Sequence, residues 1–125
     1  MSSSTTPDAA EPGTVVLWRV PGRPADSRVT WRQLGNVRME LGARDAVADD
    51  RGGTLTFRVG PGRPHRKIMV KLRDDDTYAI EVGRLSKYQG LPEWHSEATS
   101  GLDQGIYAEN LAQAVIDLYL HVVDA

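Results

Sequence analysis

Arg66-Lys67-Ile68-Met69-Val70-Lys71-Leu72-Arg73-Asp74-Asp75-Asp76-Thr77-Tyr78-Ala79-Ile80-Glu81-Val82-Gly83 is the stretch that decides the fold. Ile68, Val70 and Leu72 alternate with charged residues and Met69, and after three aspartates Tyr78, Ile80 and Val82 alternate in the same way. A period of two is the mark of a strand with one buried face. A three-residue loop at 74–76 sets Leu72 opposite Tyr78, Val70 opposite Ile80 and Ile68 opposite Val82, so that every apolar side chain shares one face. A two-residue loop sets apolar positions against polar ones, and the alternation penalises that slip. The stretch is an antiparallel hairpin of fixed register.

Toward the N-terminus the pattern continues as short β-branched runs between turn residues, the signature of a meander. Strands are predicted at about 14–20, 28–32, 37–47 and 54–59, ahead of the hairpin strands at 66–73 and 77–83. Pro21-Gly22 and Pro61-Gly62 suit the central positions of type II turns. Residues 1–13 are Ser, Thr, Pro, Ala and acid, with nothing to bury, and read as a disordered tail. Residues 84–105 lack a sustained period and read as a long connection, the kind that often carries function. From 106 to about 123 the period is helical, with Glu109, Asn110, Gln113, Asp117, His121 and Asp124 on one polar stripe. The apolar side of that helix is wider than one sheet requires. Either a second subunit packs there, through Leu118, Tyr119 and Val122, or the chain's own core is deeper than the sheet alone. The expected fold is α+β: an antiparallel β-meander of five or six strands with one C-terminal α-helix packed on the sheet, in a single domain over 14–125.

The chain of 125 residues carries 15 basic and 17 acidic side chains and no cysteine, which excludes disulfides and thiol chemistry. No apolar run reaches the roughly 18 residues of a membrane span. The start lacks the basic and apolar regions of a secretory signal, so the expected location is cytoplasmic. The charges are segregated. Seven basic residues and no acid lie between Arg51 and Arg73, and ten acids follow. Arg58, Lys67 and Lys71 sit at polar strand positions that can share one solvent face, with Arg63 and Arg66 at its rim, and these five are candidate nucleic-acid contacts. Against that stand the net charge of −2 and the single aromatic, Phe57, within the basic stretch, since single-strand binders use stacking platforms.

Other chemistries find little support. The Gly60-Pro61-Gly62-Arg63-Pro64 loop has two prolines without N–H groups and leads into a strand, unlike a phosphate loop. Asp74-Asp75-Asp76 lacks the interleaved spacing of a calcium loop. His65, His95 and His121 form no ligand pair on one element, and no metal or cofactor is expected. Glu93-Trp94-His95-Ser96-Glu97 gathers an acid, an imidazole and a hydroxyl, but sequence neighbours seldom converge on one reacting atom. Trp94 is read instead as an anchor at the end of the core or an interface residue.

Asp-Asp-Asp-Thr-Tyr-Ala-Ile-Glu-Val-Gly-Arg-Leu at 74–85 and Gly-Ile-Tyr-Ala-Glu-Asn-Leu-Ala-Gln-Ala-Val at 105–115, within a region spanning about 67–123, resemble small accessory proteins encoded by actinobacteria-infecting bacteriophages. The resemblance implies a host bacterial cytoplasm and a role in modulating a host protein, and it assigns no site residues. The expectation is a non-enzymatic interaction module that binds a protein partner, homodimeric through the helix. A nucleic-acid-binding protein using residues 58–73 is the alternative.

Overall fold

The computed structural model describes residues 15–60, 66–88 and 90–124, with backbone alone at 86–88 and 91. The hairpin forms in the expected register, with Leu72 opposite Tyr78, Val70 opposite Ile80 and Ile68 opposite Val82. Its turn explains the register. Asp76 N–H donates to the Arg73 carbonyl, and Asp76 then takes a left-handed conformation (φ 68°). That combination closes a three-residue hairpin loop with a bulge that matches strand twist. The Asp75 carboxylate fixes the far side by accepting the Thr77 backbone N–H and hydroxyl.

Around this hairpin stand five antiparallel strands in sequence order: β1 (Arg44–Asp49), β2 (Thr54–Val59), β3 (Arg66–Leu72), β4 (Tyr78–Tyr88) and β5 (Leu91–Ser100). One face of the sheet carries Leu55, Phe57, Val59, Ile68, Val70, Ile80 and Val82, all buried. Three helices cover it: α1 (Ser27–Gln33), α2 (Val37–Glu40) and α3 (Ala108–Val123). Leu34, Val37, Leu41, Leu111, Val115 and Val122 complete this main core. The fold is α+β, a five-strand antiparallel meander with the C-terminal helix packed on it.

Three of the predicted strands are replaced, wholly or in part, by other structure. Residues 28–32, read as a strand from five alternating residues, lie within α1, whose N-cap Asp26 accepts the Arg28 N–H at 3.0 Å. Residues 37–47 divide into α2 and β1. Met39 is 86% exposed while Leu34, Val37 and Leu41 are buried, which is the spacing of a helix face. Residues 15–20 of the predicted first strand contain a 3-10 turn, Val16–Arg19, lying against the opposite face of the sheet. The predicted connection at 84–105 is mostly strand: β4 runs on to Tyr88 and β5 fills Leu91–Ser100. The disordered tail expected at 1–13 lies outside the described residues, as do Arg63, His65 and the Pro61-Gly62 turn.

Part of the wide apolar side of α3 is covered within the chain, while Leu120 and Val123 stay exposed. Beyond β4 and β5, α3 contacts α1 and α2, so three surfaces of the same chain meet it. The helices also brace the sheet, where the Trp31 ring meets Phe57 edge-on at 5.6 Å. The Arg38 guanidinium lies 5.2 Å from the centre of the Trp31 ring. At the hairpin end, Arg73 ties the segment after β5 to β3, its Nη1 donating to the Gly101 and Leu102 carbonyls at 2.6 and 3.0 Å.

Candidate functional site

Arg58, Lys67 and Lys71 share the face of the sheet away from α1, α2 and α3, as expected, but Lys71 is buried, Arg58 is ion-paired, and Arg66, expected at the rim, lies on the other face. Arg58 and Lys67 stand opposite each other across β2 and β3, on the face away from the helices. Arg58 is paired with Asp45 at 3.7 Å. Arg66 alternates to the helix face, where Glu97 accepts two hydrogen bonds from its guanidinium at 2.9 and 3.3 Å. Lys71 is buried at 9% exposure. Arg84, missed in the sequence, lies opposite Arg66 and is exposed. Among the described residues, then, only Arg58 and Lys67 of the predicted set stand together without being buried.

The predicted interface residues are buried or half-buried within the chain. Val122 is buried, and Leu118 and Tyr119 are half-buried against the main core. Trp94 is 8% exposed and belongs to a second, smaller cluster on the other face of the sheet with Val15, Leu17, Val20 and Ala79. His95, one position on, turns to the helix face opposite Arg84. Glu97 is committed to Arg66, so the Glu93–Glu97 run is spread over both faces rather than gathered at one point.

The second cluster is built by residues 15–20, a strap laid across the face of the sheet that the helices leave open. Two charged side chains rise from the sheet to hold it. Glu81 is fully buried; its carboxylate accepts the Leu17 backbone N–H at 2.9 Å and the Trp94 indole N–H at 2.7 Å. Lys71 Nζ donates to the Leu17 carbonyl at 3.0 Å. Leu17 is thereby gripped at both its backbone N–H and its C=O. Burial pushes the Lys71 ammonium below its ordinary pKa of 10.5. The Trp94 ring reaches Glu81 by lying over Gly83, where a side chain would meet the indole Cη2 at 2.7 Å and the His95 carbonyl at 2.5 Å. In the sequence Glu81 and Lys71 are ordinary polar positions of a half-buried hairpin. The arrival of Leu17, 64 residues before Glu81, completes their burial, with the Trp94 indole against Glu81 and Gly22 against the Lys71 stem.

β1 is the least covered element. It is an edge strand, with residues 45–49 mostly exposed and Val47 69% exposed. Its centre, Ala46-Val47-Ala48, carries no proline and no charge. A bulge between Arg44 and Val47, with Asp45 at φ 55°, bends its start. Beside it runs a shallow groove of about 210 Å³ lined by Ser27, Arg28, Trp31, Ala46, Ala48 and Leu55. Natural edges are usually blocked by lysine, proline or a covering loop. β1 has its bulge at Asp45-Ala46 and a charge at each end, Asp45 and Asp49, and between them Val47 and Ala48 carry none of these. In the sequence, the Asp49-Asp50-Arg51-Gly52-Gly53 turn just after Ala46-Val47-Ala48 marks the end of this strand.

Among the described residues no group of three or more His, Asp or Glu side chains is placed to hold a metal ion, and no helix is long and apolar enough to cross a membrane. No protein-family model, curated protein or solved structure matches the chain.

Proposed function

We propose that the protein is a non-enzymatic interaction module that takes an extended segment of a protein partner along the edge of β1. The observation that carries this reading is the exposed, uncharged Ala46-Val47-Ala48 edge with the Trp31–Leu55 groove beside it. A strand added there gains main-chain hydrogen bonds from the unpaired side of β1, and alternate side chains point toward the groove; edge addition of this kind combines backbone affinity with side-chain specificity. The resemblance to phage accessory proteins supports a host protein in the bacterial cytoplasm as the partner.

Selection from a displayed random-peptide library tests the reading. Wild-type protein is expected to enrich peptides with alternating apolar residues, and the Val47→Lys and Ala48→Lys variants, folded by circular dichroism, are expected to lose them. Peptides that bind wild type and both variants equally overturn it.

A second reading, contact with nucleic acid, has the facing pair Arg58 and Lys67 in its favour. Anisotropy of labelled single- and double-stranded DNA tests it: binding that weakens steeply with salt and is lost on charge reversal at both residues supports it. No binding at low salt removes it.

A further inference from the structure

We infer that residues 15–20 form a releasable cover, a strap that opens from the sheet while the rest of the fold stays intact. Three observations, independent of the β1 reading, carry this. First, the apolar side chains of the strap pack in their own small cluster. Val15, Leu17 and Val20 meet Ala79, Trp94, Met69 and Leu102, and none of them belongs to the main core on the other face. Cooperative units of a fold follow such contact boundaries.

Second, a fixed point follows the strap immediately. Pro21 C=O accepts the Asp74 N–H, Gly22 pairs with Arg73, and the Arg23 N–H donates to the Leu72 carbonyl. Arg23 is also ion-paired with Asp76 at 2.7 Å. Motion is confined to residues before Pro21.

Third, the groups beneath the strap do not need it. Glu81 lies opposite Met69, and Lys71 lies opposite Ala79. The two charges are thus diagonal neighbours on one face, about 7–8 Å apart at their backbones, a separation long side chains bridge. In the closed state both are spent on Leu17 at the cost of their hydration. In the open state they regain water and can pair directly with each other. Buried charges contribute little net stability over apolar packing, because desolvation offsets their attraction. A purely apolar floor makes opening expose hydrophobic surface with nothing gained. This floor softens that penalty and gives the face two satisfied arrangements. Opening uncovers the Trp94 indole, Met69 and Ala79, the apolar part of the face that the closed chain hides.

Native-state hydrogen exchange followed by NMR tests the inference on the full chain. The Leu17 backbone N–H and Trp94 indole N–H are expected to exchange at least tenfold faster than the amides of Val70, Ile80 and Val82, after correction for intrinsic rates. Their exchange is also expected to depend only weakly on added denaturant. The Val115→Ala variant weakens the main core without touching the strap. It is expected to speed the Val70, Ile80 and Val82 amides by about tenfold or more, while Leu17 and Trp94 keep their wild-type rates. If Leu17 and Trp94 accelerate together with the core strands, or share their denaturant dependence in the wild type, the strap opens only by global unfolding and the inference is overturned. The denaturant dependence decides the matter even if Val115→Ala fails to fold.

Discussion

Gly83→Ala is a small change with a large expected effect, and it probes the joint between Trp94 and Glu81. Gly83 needs no special backbone conformation, so the ordinary strand preference for alanine over glycine favours the variant by about 0.5–1 kcal/mol. Space decides against it. The new methyl meets the Trp94 ring and the His95 carbonyl, both well inside contact distance. Overpacking of this kind costs about 1–3 kcal/mol. The ring can escape only by leaving the sheet, and it then withdraws its N–H from the Glu81 carboxylate. A hydrogen bond to a charged group is worth about 1.5–3 kcal/mol. The balance is a loss of about 2–5 kcal/mol, a large part of the roughly 5–15 kcal/mol that holds a domain together. Urea and thermal melts read it directly, with a fall in Tm of roughly 10–20 °C for a domain of this size. A double-mutant cycle with Trp94→Phe isolates the cause. The smaller ring lacks the N–H, so the two losses are expected to be non-additive by about 1 kcal/mol or more. A Gly83→Ala protein as stable as wild type, or strictly additive losses, refutes the placement of the indole over Gly83.

Other expectations follow from single contacts. Asp76→Val, with a β-branched residue in the left-handed region, is expected to cost about 2 kcal/mol in urea melts, whereas Asp76→Gly is expected to stay within about 1 kcal/mol of wild type. The Lys71 pKa is lowered by burial. Between its folded value and 10.5 the unfolded chain therefore holds more protons, and stability rises with pH there. Lys71→Met is expected to flatten that alkaline rise in a series of thermal melts. The Thr77 hydroxyl and backbone hold the Asp75 carboxyl below its usual 3.8, with a smaller contribution from the Arg73 charge. The stability from this group is present above 3.8 and lost as pH falls through the folded value, so Thr77→Val is expected to show a shallower loss of Tm between pH 5 and 2.

The sequence is most legible where local rules act alone. In the hairpin, alternation and a three-residue turn agree, and the register follows from both. Around residues 26–41 the local signals compete. Five residues of alternation at 28–32 suggest a strand, but the Asp26 cap and the helical spacing of Leu34, Val37 and Leu41 point to a helix. The exposed Met39 shows which pattern governs the packing. The strand β5 was hidden for another reason. Trp94 and Ala98, four residues apart, point to opposite faces because a bulge opposite Val82 and Gly83 inserts one extra residue. No period of two survives across it, and Pro92 and Gly101 made the segment look like a loop. The Glu81–Leu17–Lys71 grip was out of reach of any local reading. Lys71 looked like a solvent-facing cation, and the strap that covers it comes from the far end of the chain. The different faces of Arg66 and Lys67 follow from alternation along β3, and Arg58 shares the Lys67 face because it is that residue's partner across β2.

The most direct test of the proposed function is an NMR footprint of a peptide selected on the wild-type protein. The account predicts slowed amide exchange along Ala46, Val47 and Ala48 in the complex. It also predicts contacts between an apolar peptide side chain and the Trp31 ring. A footprint centred on α3, or on Arg58 and Lys67, with β1 unchanged contradicts it.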